Sequence, residues 1–225
     1  MNIYYALYAL YISSILIILV GSKRVIWPAL VAILSILFQG YFNSFEKIEH
    51  GQVTLTYVAL LMPFFFYELN VTSQQINQEK SKIQSWTLFL IQFTIAGVYL
   101  LSGLEKLLTS GFQWATAETF RTYIALHEQP WGIMIAKNDF LAQLFPMLAL
   151  VFQLTFILIL FFPRWKYVFL SMGVFFHLGT KILMDIGPYF SSWFFVYIFF
   201  LDWDMLLKKG LSFIQRRDIS NQNGA

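Results

Sequence analysis

The chain has 225 residues, of which 58% are hydrophobic, 20% aromatic and only 12% charged, with a formal net charge of +3. A soluble domain carries about 25% charged residues, so this composition excludes an ordinary soluble globule and points to an all-α, polytopic transmembrane helix bundle. The basic excess reads as an orientation signal, not a nucleic-acid footprint, and the absence of cysteine excludes disulfides, cysteine-ligated zinc, iron–sulfur clusters and a thiol nucleophile.

Seven segments have the roughly 17–25 residues a helix needs to cross the hydrocarbon. They are Ile3–Val20, Val25–Phe42, Gln52–Leu69, Trp86–Leu104, Phe140–Phe162, Lys166–Met184 and Ile186–Trp203. Thr54, Thr56 and Glu68 dilute the third. Backbone polar groups in a membrane must be paired within the chain, so the segments are predicted as helices. The first is expected to stay in place with its N-terminus outside, because no positive residue precedes it and Lys23-Arg24 follow. Alternating crossings then place ten of the fifteen basic residues inside and five outside. That bias agrees with the positive-inside rule and puts the C-terminus in the cytoplasm, as expected for a multi-pass protein of the inner or plasma membrane. Residues 1–210 are expected to form one transmembrane domain and 211–225 a flexible tail.

Connections are short, with Pro163-Arg-Trp165 a tight turn. Asn70–Ser85 reads as a polar inside loop. The exception is the stretch from Glu105 to Asp139, about 35 residues, long for a compact bundle and too aromatic for disorder. Ser110 followed by Gln113 resembles a capping box that starts a short helix near Phe112. Trp114, Phe120, Tyr123 and Ile124 would face the membrane or the bundle mouth, with Glu118 and Arg121 outward. This segment is expected to be an interfacial or re-entrant element over the outer face.

The uncharged run from Trp86 to Leu104 ends in Glu105 and Lys106, and Leu107-Leu108 follow. Lys106 therefore lies at the edge of the hydrocarbon, where its charge is costly. Two readings stay open. The amine snorkels to the headgroups, or it loses its proton in an apolar setting and works as a base. Neighbouring Glu105 would hold it charged, but consecutive helical residues point about 100° apart, so the two need not share a site. The proposed topology puts His50, at the start of the third helix, on the same side as Lys106. His177, Lys181 and Asp185 share one face of the sixth helix. His177 falls near mid-membrane, where an ionisable residue marks a site or bonds a neighbouring helix. His127 reads as a solvated loop residue. No metal-ligand spacing is present, so no metal is predicted.

At these residues the chain resembles a known family. Ser102-Gly-Leu-Glu-Lys-Leu107, then Trp114 and Glu118-Thr-Phe120, resembles a segment of vitamin K-dependent γ-carboxylase. The broader group is the horizontally transferred transmembrane (HTTM) domain family. Glu49-His-Gly-Gln52, Phe161-Phe-Pro-Arg-Trp165 and Phe175-Phe-His-Leu-Gly179 resemble its further motifs in matching order. The resemblance implies that Lys106 deprotonates a reduced quinone of the vitamin K type and that His50 supports it. His177 and Trp114 are then the candidate cofactor-binding residues. Two positions depart from the pattern: Glu49 stands where the family has Asn, and Glu105 where the carboxylase has a second basic residue.

Two functional readings follow. One is a quinol-dependent, carboxylase-like membrane enzyme with Lys106 as base, acting on a peptide or quinone substrate. The other is a non-enzymatic membrane module that assists export, maturation or immunity for a secreted peptide. A transporter ranks below both, because neither an inverted repeat nor paired broken helices are evident. The lipid bilayer is the expected partner in each case, nucleic acid in none, and the oligomeric state stays open.

Overall fold

The computed structural model describes residues 3–44, 50–75, 86–186 and 195–202, without the side chains of residues 50–52 and 72–75. Every regular element among them is helical. In chain order these are α1 (Ile3–Leu19), α2 (Ile26–Asn43), α3 (His50–Gln75), α4 (Trp86–Ser110), α5 (Ala117–His127), α6 (Pro130–Ala136), α7 (Asp139–Thr155) and α8 (Lys166–Met184). Short 3₁₀ turns occupy Gly111–Ala115, Phe156–Leu160, Pro163–Trp165 and Tyr197–Phe200. Five helical stretches are long and apolar enough to cross a membrane, and α1 is a shorter apolar helix. These match six of the seven predicted segments. Of the seventh, only residues 195–202 are described. The proposed tail, 211–225, lies outside the described residues.

The helices follow the apolar runs, and the differences sit at their ends. α3 continues past Leu69 to Gln75, so the start of the predicted loop is helical. Glu68, which diluted the apolar signal, has a partner: its carboxylate oxygens accept from the Thr87 backbone N–H at 3.3 and 3.4 Å. A carboxylate at a helix start answers one of the four unpaired N–H groups there. At the same end of the bundle the Asn70 side-chain amide donates to the Lys23 carbonyl at 2.8 Å. α4 runs on to Ser110, which keeps Glu105 and Lys106 inside the helix, and Gly111, at φ +59°, ends it in the left-handed region that glycine enters freely. The fifth predicted segment is divided: α7 stops at Thr155, whose hydroxyl donates to the Val151 carbonyl, and a 3₁₀ turn carries the chain to Leu160.

The 111–136 segment forms a helical cap of one short 3₁₀ turn plus α5 and α6. A helical turn does start near Phe112, but Ser110 makes no side-chain capping bond. The N-cap that forms is Thr116, which accepts from the Thr119 N–H at the start of α5. Phe120 and Ile124 are buried against Ala142 of α7 and Leu183 of α8. The cap therefore closes the end of the bundle where α4 and α8 finish and α7 begins. Arg121 ties it down by pairing with Asp139 and donating to the Ala136 carbonyl.

The main core gathers Ile91, Ile95 and Tyr99 of α4 with Phe152 and Phe156 around α7, plus Val196, Tyr197 and Phe200. Phe156 is fully buried, its ring 4.6 Å from that of Tyr99 and 5.3 Å from that of Phe152. In lipid, where apolar burial gives little drive between helices, such close packing and interhelical hydrogen bonds carry association. Large apolar side chains such as Leu108, Phe140 and Phe175 point outward, as lipid-facing residues do.

Candidate functional site

Between α3, α4, α7 and α8 lies a cavity of about 480 Å³, open on one side. α3 contributes Val53, Thr54 and Tyr57; α4 contributes Val98, Tyr99, Leu101, Ser102 and Glu105; α7 contributes Gln153; α8 contributes Phe176 and His177. The wall is mostly apolar with a few convergent polar groups, the usual make-up of a small-molecule site.

Its best-defined polar feature is a buried chain of three side chains. The Tyr99 hydroxyl lies 2.6 Å from His177 Nε2 and 2.6 Å from the Tyr197 hydroxyl. Two donor orders fit: Tyr197 donates to Tyr99 and Tyr99 to His177 Nε2, or, in the other tautomer, His177 donates to Tyr99 and Tyr99 to Tyr197. Gly173 makes room for this arrangement. It lies one turn before His177 on α8, and a Cβ there would sit 2.2 Å from the Tyr197 hydroxyl oxygen. His177 is thus both a wall residue and a link between α8 and α4. Tyr99 and Tyr197 were not singled out in the sequence, where a tyrosine inside an apolar run looks like any other packing residue.

Lys106 and Glu105 point to different places. Glu105 lines the cavity, and Lys106 does not. The Lys106 amine donates to Ser102 Oγ at 2.9 Å and lies 5.0 Å from the centre of the Trp114 ring. It also reaches the Ser102 carbonyl at 3.3 Å. Trp114 belongs to the 3₁₀ turn after α4, so the chain folds back to place an indole over the lysine, and a cation over an aromatic face is attracted to the ring. Ser102 is the connection between the two regions, since it lines the cavity and holds Lys106. His50 opens α3, one turn before Thr54 on the cavity wall; its side chain lies outside what is described.

Three further polar residues stand apart from this centre. Lys181 pairs with Asp185, one turn on, at the C-terminal end of α8. His127 ends α5 and is exposed. Gln153, absent from the sequence-based candidates, is 6% exposed, and its side-chain carbonyl oxygen has no hydrogen-bond partner among the described residues. Its signal was present in the sequence: an amide flanked by Phe152 and Leu154 in an uncharged span.

Comparison with known proteins bears on the whole bundle. Neither the curated proteins nor the solved structures give a match. The family model described as the HTTM domain matches residues 3–204, nearly the entire chain. With its apolar helices, this makes the protein a multi-pass integral membrane protein. The chain belongs to the HTTM domain family.

Proposed function

We propose that the chain is a membrane-embedded, carboxylase-like enzyme that takes a reduced quinone into the cavity between α3, α4, α7 and α8. The observation that carries this reading is Ser102, which lines the cavity and accepts a hydrogen bond from Lys106. The cavity suits such a group in size and character. Its volume of about 480 Å³ exceeds what a two-ring head requires, its wall is mostly apolar, and its polar groups are hydroxyl, carboxylate, amide and imidazole. The quinol would supply the reducing equivalents for oxygen chemistry, by analogy with the carboxylase.

In this reading Lys106 is the base and acts through Ser102. With the amine uncharged, Ser102 donates its hydroxyl proton to Lys106 Nζ and takes one from a ring hydroxyl in the cavity. Trp114 stacks its ring against the lysine amine. His177, held by Tyr99, presents its ring at the wall. His50, at the start of α3, supports the same end of the site. Glu105 replaces a basic residue of the carboxylase pattern and brings a negative charge to the wall. Glutamate γ-carboxylation is therefore not part of the proposal, which stops at quinol deprotonation.

The outer face is proposed for the α5–α6 cap and the lysine end of α4, with the N-terminus outside and the C-terminus in the cytoplasm. The test is extraction of co-purifying lipids. A quinone recovered with the wild-type protein and lost from the Lys106→Ala and Ser102→Ala variants supports the reading. Its absence from wild type, purified from quinone-containing membranes, counts against it. The alternative is a non-enzymatic module for a secreted peptide. It is favoured by one observation, that Lys106 is seated on Ser102 and Trp114 and not on the cavity wall.

A further inference from the structure

Gln153 is a buried amide with an unanswered acceptor. It lies on α7 at the cavity wall, 6% exposed, and its carbonyl oxygen has no partner among the described residues. Buried polar groups in folded proteins are nearly always paired, and inside a membrane bulk water is not at hand to pair them. A Cβ on Gly103 of α4 would come within 3.2 Å of Gln153 Cβ, so the two helices touch at its root. The terminal amide torsion is soft and can turn the oxygen toward an incoming donor.

The other polar groups at the wall sharpen what kind of ligand fits. Tyr99 and His177 are bonded to each other, and Ser102 accepts from Lys106. Glu105 adds a carboxylate, which accepts hydrogen bonds when ionised. Thr54 and Tyr57 add hydroxyls, and Val53, Val98, Leu101 and Phe176 make up the apolar remainder. The Gln153 oxygen and the Glu105 carboxylate are thus the acceptor-only atoms at a wall that also carries hydroxyls.

We propose that this cavity binds a hydrophobic molecule through a hydroxyl group that donates to Gln153 Oε1, and that Gln153 selects such a donor over an acceptor-only molecule of the same shape. The ligand class is an aromatic or other bulky apolar alcohol. The inference goes beyond the proposed chemistry, because it concerns binding without turnover and holds equally for a non-enzymatic module.

The test uses the full chain in lipid nanodiscs, with naphthol and its methyl ether as probes and partition into empty nanodiscs subtracted. Naphthol should bind about tenfold more tightly than the ether, the factor that about 1.4 kcal/mol produces. In Gln153→Met, which keeps length and volume, the ether should bind as before and the preference should vanish. Equal binding of the two probes to wild type would overturn the proposal. So would a naphthol preference that persists in Gln153→Met, or binding of neither probe. Should Gln153→Met not fold, Gln153→Leu is read in the same way, and a naphthol preference that persists there overturns the proposal.

Discussion

Lys106 Nζ and Ser102 Oγ lie 2.9 Å apart, one turn from each other on α4, and Ser102 is the cavity-lining residue that Lys106 holds. The proposed chemistry depends on this bond. Ser102→Ala should leave the helix intact, since alanine is the best helix former. Quinol-dependent turnover in proteoliposomes should fall about 10²-fold, the scale of a lost proton-transfer group. Turnover within a factor of two of wild type would mean that Lys106 reaches the substrate without Ser102.

The packing of Tyr197 against Gly173 gives a second prediction. Gly173→Ala forces a methyl to 2.2 Å from the Tyr197 hydroxyl oxygen, and overpacking of this kind costs about 1–3 kcal/mol. Tyr197→Phe removes that oxygen. Thermal unfolding in detergent should therefore show the double variant less destabilised than the two single effects added together. Strict additivity would mean that the two side chains do not meet.

Phe156 gives the stability reference. It is fully buried among Tyr99, Phe152, Tyr197 and Phe200. Phe156→Ala should cost about 3–5 kcal/mol. Leu108→Ala, on an exposed and lipid-facing position of α4, should stay within about 0.5 kcal/mol. Chemical or thermal unfolding of both variants in the same detergent checks the contrast.

Topology is directly measurable because the chain has no cysteine, so an introduced one is the only thiol present. With the cap outside, Glu118→Cys on α5 should react with a membrane-impermeant maleimide in intact cells. Lys23→Cys, in the α1–α2 turn, should react only after the membrane is opened. The reverse labelling would invert the proposed orientation.

The elements were legible where physics is local. Long uncharged runs set α1, α2, α4, α7 and α8, because a membrane leaves the backbone no other way to pair its polar groups. Helix ends were less legible. Glu68 looked like an interruption in α3, whereas its partner is the Thr87 N–H 19 positions away. The candidate site was legible in part. The sequence marked Lys106, Trp114 and His177, and the fold gives each a contact: Lys106 with Ser102 and Trp114, His177 with Tyr99. It did not show that Glu105, not Lys106, lines the cavity, because that depends on the rotation of α4 within the bundle. Nor did it mark Tyr99 and Tyr197, which meet only because Gly173 lets the 195–202 segment approach α8.

The central claim is that Lys106 is the base for a quinol held in the cavity. The most direct measurement is oxygen-dependent conversion of a naphthoquinol by the purified protein in proteoliposomes, comparing wild type with Lys106→Ala at matched protein levels. The account predicts conversion above the protein-free rate for wild type and a return to the protein-free rate for Lys106→Ala, with folding unchanged. Conversion that survives in Lys106→Ala, or a wild type no faster than protein-free liposomes, would contradict it.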